Sequence, residues 1–267
     1  MKTVLITGVL GGMGKATTKL LLDNGYQVIG LDAKEQSQIE NLPITYYQVD
    51  LTKTEEINKV YETVSKKIDN IYAIVHFAGI YQMDSLVEME EQEFMRIFDI
   101  NVFSIYRINK TFLPLLKKGS RIIMTSSELA PLAPLPFTGI YAITKSTIEK
   151  YAFSLKMELQ LLGIDVSVIR PGAVKTGLLN QSISSMDKLC EKTKLYKDNT
   201  NKFSKIVNSV ESKNISPIKI AKKVKKVLKA KKPKYVYSIN RNRLLKLLNF
   251  LPRRFQLFVI KKLLQSK

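Results

Sequence analysis

Cysteine, histidine and tryptophan are nearly missing from this chain: Cys190 and His76 are single, and tryptophan is absent from all 267 residues. A lone cysteine excludes an internal disulfide, and with a lone histidine it leaves no Cys/His metal cluster, so no metal site is expected. A reducing, cytoplasmic setting is the simpler expectation. Uncharged apolar runs of about 18 residues are also missing, so no spanning helix is expected. The opening MKTVLITG enters a strand-like run at once, which predicts no apolar secretory segment ahead of it. Acidic residues are scarce in one place only. Residues 1–190 hold 20 Lys+Arg and 20 Asp+Glu, whereas 191–267 hold 23 and 3, which is the whole net charge of +20. The last third is therefore suited to an anionic partner; no nucleic-acid recognition motif accompanies it.

What is present is an ordinary globular composition, 45% hydrophobic and 25% charged, long enough for one large core. Apolar runs at 3–7, 27–32, 44–50, 71–79, 121–127 and 165–172 read as strands, most of them continuous enough to be covered on both faces. Helical patterns lie between them at 12–23, 53–67, 88–117 and 139–162. This alternation predicts an α/β fold: a doubly wound parallel sheet with helices on both faces. Residues 177–215 lose the pattern and read as a substrate-loop region, either a mobile lid or a surface insertion. Ser216 and Pro217 then predict an N-cap and first helical position, and 235–239 a last strand. A domain over 1–240 and a basic tail over 241–267 follow.

TGVLGGMGK joins the first strand to the first helix. Gly8 permits the turn, Gly12 lets backbone approach a pyrophosphate, and Gly14 lets helix pack on strand, with the phosphates at the positive helix end. The alternative is a structural turn without ligand. Asp32 closes the second strand, where a carboxylate accepts from ribose hydroxyls and repels a 2′-phosphate; this favours NAD over NADP. Lys15 and Lys34 stand close enough to soften that choice. Asp50 is placed for an adenine edge or for an ordinary turn.

Tyr141 and Lys145, four apart at the start of a helix, share a face. A free tyrosine titrates near ~10, and an ammonium about 4 Å away contributes roughly 4 kcal/mol towards lowering it. Alone, such a pair is often a surface coincidence. Its company is more specific: Thr7 to Gly14 with Met13, Asp50-Leu51, Ala78-Gly79, Asn101-Val102, Ser126-Ser127, YAITK over 141–145, and RPGAVKT over 170–176. In this order the patterns resemble the short-chain dehydrogenase/reductase family of single-domain, Rossmann-fold type, over residues 3 to about 177.

The resemblance implies an NAD(P)-dependent enzyme in which Tyr141 is the acid/base, and Lys145 lowers its pKa and holds the nicotinamide ribose. By the same resemblance Ser127 bonds the substrate oxygen and Asn101 positions a water. Pro171, Gly172, Val174 and Thr176 would meet the nicotinamide end; Thr7, Met13, Leu51, Ala78 and Gly79 belong to the cofactor motifs. Two departures stand out. His76-Phe77 replace the family's paired asparagines, and His76 reads as a strand-end residue with a structural hydrogen bond. Ser127 and Tyr141 are 14 apart, one more than the family's usual separation. Either the proline-rich 128–140 segment bulges, or Ser126 or Glu128 takes part of the role.

In 241–264, leucines and phenylalanines interleave with arginines and lysines on either side of Pro252. This pattern predicts two short amphipathic helices, lying on an anionic membrane surface or packed on the domain or a subunit partner. The family's lipid-alcohol members carry similar tails. The resemblance therefore implies interconversion of a secondary alcohol and a carbonyl on a small hydrophobic or lipid-like substrate. Alternatives are a 3-oxoacyl-carrier-protein-type reductase docked through the lysines of 219–234, and a nucleotide-binding sensor or scaffold without turnover. It also implies a homodimer or homotetramer formed through 88–117 and 139–162.

Overall fold

The computed structural model describes residues 1–35 and 42–265; the last two residues of the tail as read from the sequence lie outside them. Seven strands, β1 (Lys2–Thr7), β2 (Tyr26–Asp32), β3 (Thr45–Gln48), β4 (Ala73–His76), β5 (Arg121–Thr125), β6 (Asp165–Pro171) and β7 (Val236–Ile239), form one sheet. Every neighbouring pair is parallel, in the order β3-β2-β1-β4-β5-β6-β7. Successive side chains of a strand point to opposite faces, and both faces here are covered. Val4 and Ile6 of β1 pack with Leu21 of α1 (Gly12–Leu22) and Val224 and Val227 of α8 (Ile218–Lys229). Leu5, between them, joins the opposite core. There it meets Ile57 of α2 (Thr54–Ser65), Ile108 of α4 (Ser104–Phe112) and Ile148 of α5 (Gly139–Leu159). The doubly wound α/β fold read from the sequence is the fold observed.

Three readings of local structure need correction. The stretch 177–215 is not unpatterned: it forms α6 (Gly177–Lys192) and α7 (Lys197–Glu211). Its apolar residues are sparse, but Met186, Leu189, Phe203 and Val207 fall at helical spacing and form a separate core with Met83. Polar ties fix the pair: Lys192 reaches the buried Asp84 at 2.6 Å, and Glu88 accepts from Thr193 Oγ1 and the Lys194 and Leu195 amides. The single helix predicted over 88–117 is α3 (Glu91–Phe98) and α4 joined by a π-helical turn, Asp99–Phe103. The Ser104 amide there reaches back five residues to the Asp99 carbonyl. Finally, α8 starts one residue later than predicted, with Pro217 as its N-cap.

The tail forms α9 (Arg243–Phe250) and α10 (Arg253–Leu264), interrupted at Pro252 as its sequence predicts. Asn242 caps α9 by accepting from the Leu244 and Leu245 amides. Among the described residues no helix is long and apolar enough to cross a membrane.

Candidate active site

The strand order reverses between β1 and β4, and in open parallel sheets the crevice beyond the carboxyl ends of such strands is where ligands bind. Gly8 follows β1 with φ 68°, a left-handed conformation that favours glycine, and a Cβ there would lie 2.6 Å from the Ala78 amide nitrogen. At Gly14 a Cβ would meet the Gly8 carbonyl oxygen at 2.2 Å, so the loop closes on itself only without side chains. The cleft between these loops has a volume of about 320 Å³. It is lined by Gly8, Gly12, Met13, Gly14, Asp32, Asp50, Leu51, Ala78 and Gly79. Thr7 and Asn101 stand behind it: Thr7 Oγ1 accepts from the Ala78 amide at 3.4 Å. Asn101, fully buried in the π turn, accepts from Ile80 N at 2.8 Å and donates to Ile80 O and Thr144 Oγ1. Its side chain therefore fixes the backbone beyond β4.

Asp32 Oδ2 accepts from the Leu10 amide at 2.9 Å, and Oδ1 from the Lys34 amide at 3.3 Å. Its carboxylate is thus held at the cleft by backbone donors on both sides. Asp50 Oδ1 accepts from Thr52 N and Oγ1, the turn geometry that its sequence position also allows. The glycine cradle, the open amino end of α1 and the positioned Asp32 fit a dinucleotide with its pyrophosphate at the helix terminus.

A second cavity, of about 150 Å³, adjoins the first and shares Met13, Phe77, Gly79, Ile80, Thr176 and Leu178 with it. Ser127, Tyr141, Lys145, Pro171, Gly172 and Val174 line this second space. Its remaining wall is mostly apolar, with Leu129, Leu135, Leu179, Phe203, Val207 and Leu245. Ser127 Oγ accepts from the Leu129 amide at 3.2 Å, and the same side chain opposes the effect of burial on the Tyr141 phenol across the cavity. Ser126 borders the same cavity, and its hydroxyl donates to Glu149 Oε1 at 2.8 Å; Glu149 in turn pairs with Arg170. The segment between Ser127 and Tyr141 runs through successive turns, with Ala130 N donating to Ser127 O and Leu132 N to Leu129 O. Phe137 then adopts a left-handed φ of 63° just before α5.

Burial decides the ionisation of the pair. Lys145 Nζ donates to Thr125 O at 3.2 Å, and desolvation brings its pKa down to about 8. Burial pushes the Tyr141 phenol above its ordinary range, opposed by the Ser127 side chain. The lowering that the four-residue spacing suggests is therefore outweighed by burial. The ammonium sits 5.4 Å from the ring centroid, while the ring is enclosed by protein and tilted 42° against Tyr81, with 4.2 Å between centroids.

His76 takes no place in either cavity. It is buried and bonds Asn109 Oδ1 at 2.9 Å, and desolvation lowers its pKa to about 4, as suits a structural histidine. Sequence reasoning missed Tyr81, Phe203 and Leu245 as cavity walls. Tyr81 follows Ala78-Gly79 closely and could have been named, whereas Phe203 and Leu245 come from segments with no local signal for a site. Thr125 was missed too; its buried hydroxyl has no protein partner and it lines the second cavity beside Lys145.

The family model for short chain dehydrogenase matches residues 2–187. Estradiol 17-beta-dehydrogenase 2 of Mus musculus is 30% identical over 187 residues, 66% of this chain and 49% of that protein. The chain thus spans about half the length of that relative and of its Rattus norvegicus counterpart. The 3-ketodihydrosphingosine reductase of Bacteroides thetaiotaomicron is 26% identical over 234 residues, 87% of this chain and 85% of that protein. Among solved structures, a short chain dehydrogenase family protein from Francisella tularensis superposes with a TM-score of 0.73 at 26% identity. That match covers 90% of this chain and 97% of the other.

Proposed function

The chain belongs to the short chain dehydrogenase family and is a nicotinamide-dependent oxidoreductase, and from that premise we propose that it interconverts a secondary alcohol and a carbonyl on a lipid-like substrate. The observation that carries this reading is the apolar cavity around Tyr141 and Ser127, continuous with the dinucleotide cleft. Two relatives support the substrate class, since one is named for estradiol and the other for 3-ketodihydrosphingosine, each a largely apolar molecule with an alcohol or ketone. When bound, the nicotinamide supplies or accepts the hydride. Tyr141, protonated at neutral pH, donates its proton to the carbonyl oxygen, and Ser127 orients that oxygen through a second hydrogen bond. The Lys145 ammonium, charged below about pH 8, would oppose the rise at the phenol by its charge and would hold the ribose. Asp32 favours NAD by repelling a 2′-phosphate.

Phe103, Tyr106, Phe153 and Met157 are exposed along the helices on one face, a surface suited to covering by further copies in a homodimer or homotetramer. A second reading draws on α8. This helix buries Ile220, Val224 and Val227 and carries six lysines, which would dock an acidic carrier protein delivering an acyl thioester. One experiment separates the two: NADH and NADPH oxidation measured with long-chain 3-keto lipids, ketosteroids, retinal and 3-oxoacyl thioesters, free and carrier-bound. Turnover of the lipid ketones with NADH is expected. Turnover of carrier-bound thioesters alone would move the assignment to the second reading.

A further inference from the structure

The last two helices have two sides with opposite characters. On the inner side α9 belongs to the catalytic cavity. Leu245 lines it, the Asn242 amide donates to Glu128 Oε2 at 2.5 Å, and Asn249 Oδ1 accepts from the Ala133 amide at 2.6 Å. Glu128 is the residue after Ser127, so α9 is tied directly to the segment joining Ser127 to Tyr141. At the far end Leu264 is buried in the core of α6 and α7, and Asn199 donates to its carbonyl at 2.7 Å. The tail is therefore anchored at both ends.

On the outer side the same helices leave Leu244, Leu247, Phe250, Phe255, Leu257 and Phe258 in solvent, with Phe250 85% and Leu257 71% exposed. So many large apolar side chains on two short helices mark a surface that something covers. Arginines and lysines stand among them, and the segment from Arg241 onward has no acidic residue. A second copy of the tail would bring like charges together. A nucleic acid would match the charge and leave the phenylalanines wet. Anionic headgroups over an acyl layer complement both features.

We infer that α9 and α10 dock on an anionic lipid bilayer, with α9 as the partition between that bilayer and the catalytic cavity. An apolar substrate dissolved in the bilayer then has one helix between itself and Tyr141. The second half of the inference rests on the cavity being the substrate site; the docking does not.

The test uses the full chain with vesicles of phosphatidylcholine, with or without phosphatidylglycerol, and reads co-sedimentation. Binding is expected to vesicles containing phosphatidylglycerol, to fall with added salt, and to be weak without that lipid. The pair Leu247→Asp/Phe250→Asp and the pair Arg253→Gln/Arg254→Gln should each weaken it about tenfold or more. Circular dichroism and NADH fluorescence check that both variants fold. A full chain that stays in the supernatant, or variants that bind as tightly, overturn the docking. Loss of a concentration-dependent assembly in Leu247→Asp/Phe250→Asp, without vesicle binding in the parent, assigns the face to a second copy instead. Hydrogen exchange over 128–136 should slow on vesicle binding, and unchanged exchange there overturns the partition. Failure to bind NADH or to turn over lipid ketones would strike the proposed function and leave the vesicle result standing.

Discussion

The dinucleotide cleft and the substrate cavity adjoin, yet they are built by opposite means. The cleft is made largely of backbone: Gly8 and Gly14 bring main chain so close that a Cβ would lie 2.6 Å and 2.2 Å from backbone atoms, and a Cβ at Gly12 would meet the Thr176 side chain at 2.8 Å. The cavity is made of side chains, contributed by α5, α6, α7 and α9 around a buried Tyr141. A backbone cradle leaves little freedom to the residues that form it, whereas an apolar wall accepts many residues of similar size. That difference separates what is fixed, binding of the cofactor, from what is free to vary, choice of substrate.

Tyr141→Phe offers the sharpest contrast between the two. It removes one hydroxyl from the cavity wall and leaves the cleft untouched. Turnover followed by nicotinamide absorbance should fall by about 10²–10⁴-fold while NADH still binds. Loss of NADH binding as well would mean that the two spaces are one unit. Next in size comes the serine pair. Ser127→Ala should cost about 10²-fold in turnover with stability unchanged. Ser126→Ala should keep turnover and lose about 1 kcal/mol of stability with its bond to Glu149. The reverse result would place the working serine one residue earlier.

The same contrast explains what can be read from the sequence. A glycine cradle needs specific residue types at specific spacings, so Gly8, Gly12, Gly14 and Asp32 stand out in the sequence by themselves. Tyr141 and Lys145 share a helix face by their spacing, but stand out only through the ordered motifs that accompany them. The cavity wall leaves no such trace. Phe203 reaches it only through the packing of α7 against α6, and Leu245 only because Glu128 and Ala133 hold α9 in place. The α9 ties join residues more than a hundred positions apart, and neither kind of contact leaves a local pattern. The sparse apolar spacing of 177–215 hides two helices, because one buried residue per turn suffices when the opposite face is solvated. The upward shift at Tyr141 is hidden too, since spacing gives the lysine but not the enclosure.

His76 gives the smallest effect and probes the frame behind both spaces. Its folded-state pKa is about 4 against an ordinary 6.5, because burial disfavours the charged ring. Below pH 6.5 the unfolded chain takes up a proton that the folded chain refuses until pH approaches 4. Stability is therefore full above the upper value and declines as pH falls towards the lower one, by at most about 3 kcal/mol. Urea unfolding at several pH values should show that slope, and His76→Asn, which cannot titrate, should flatten it. The same variant should leave the pH dependence of turnover unchanged near neutrality, since His76 touches neither the cleft nor the cavity. A shift in that profile would instead tie the chain of bonds from His76 through Asn109 to Tyr151 into α5, the helix of Tyr141 and Lys145.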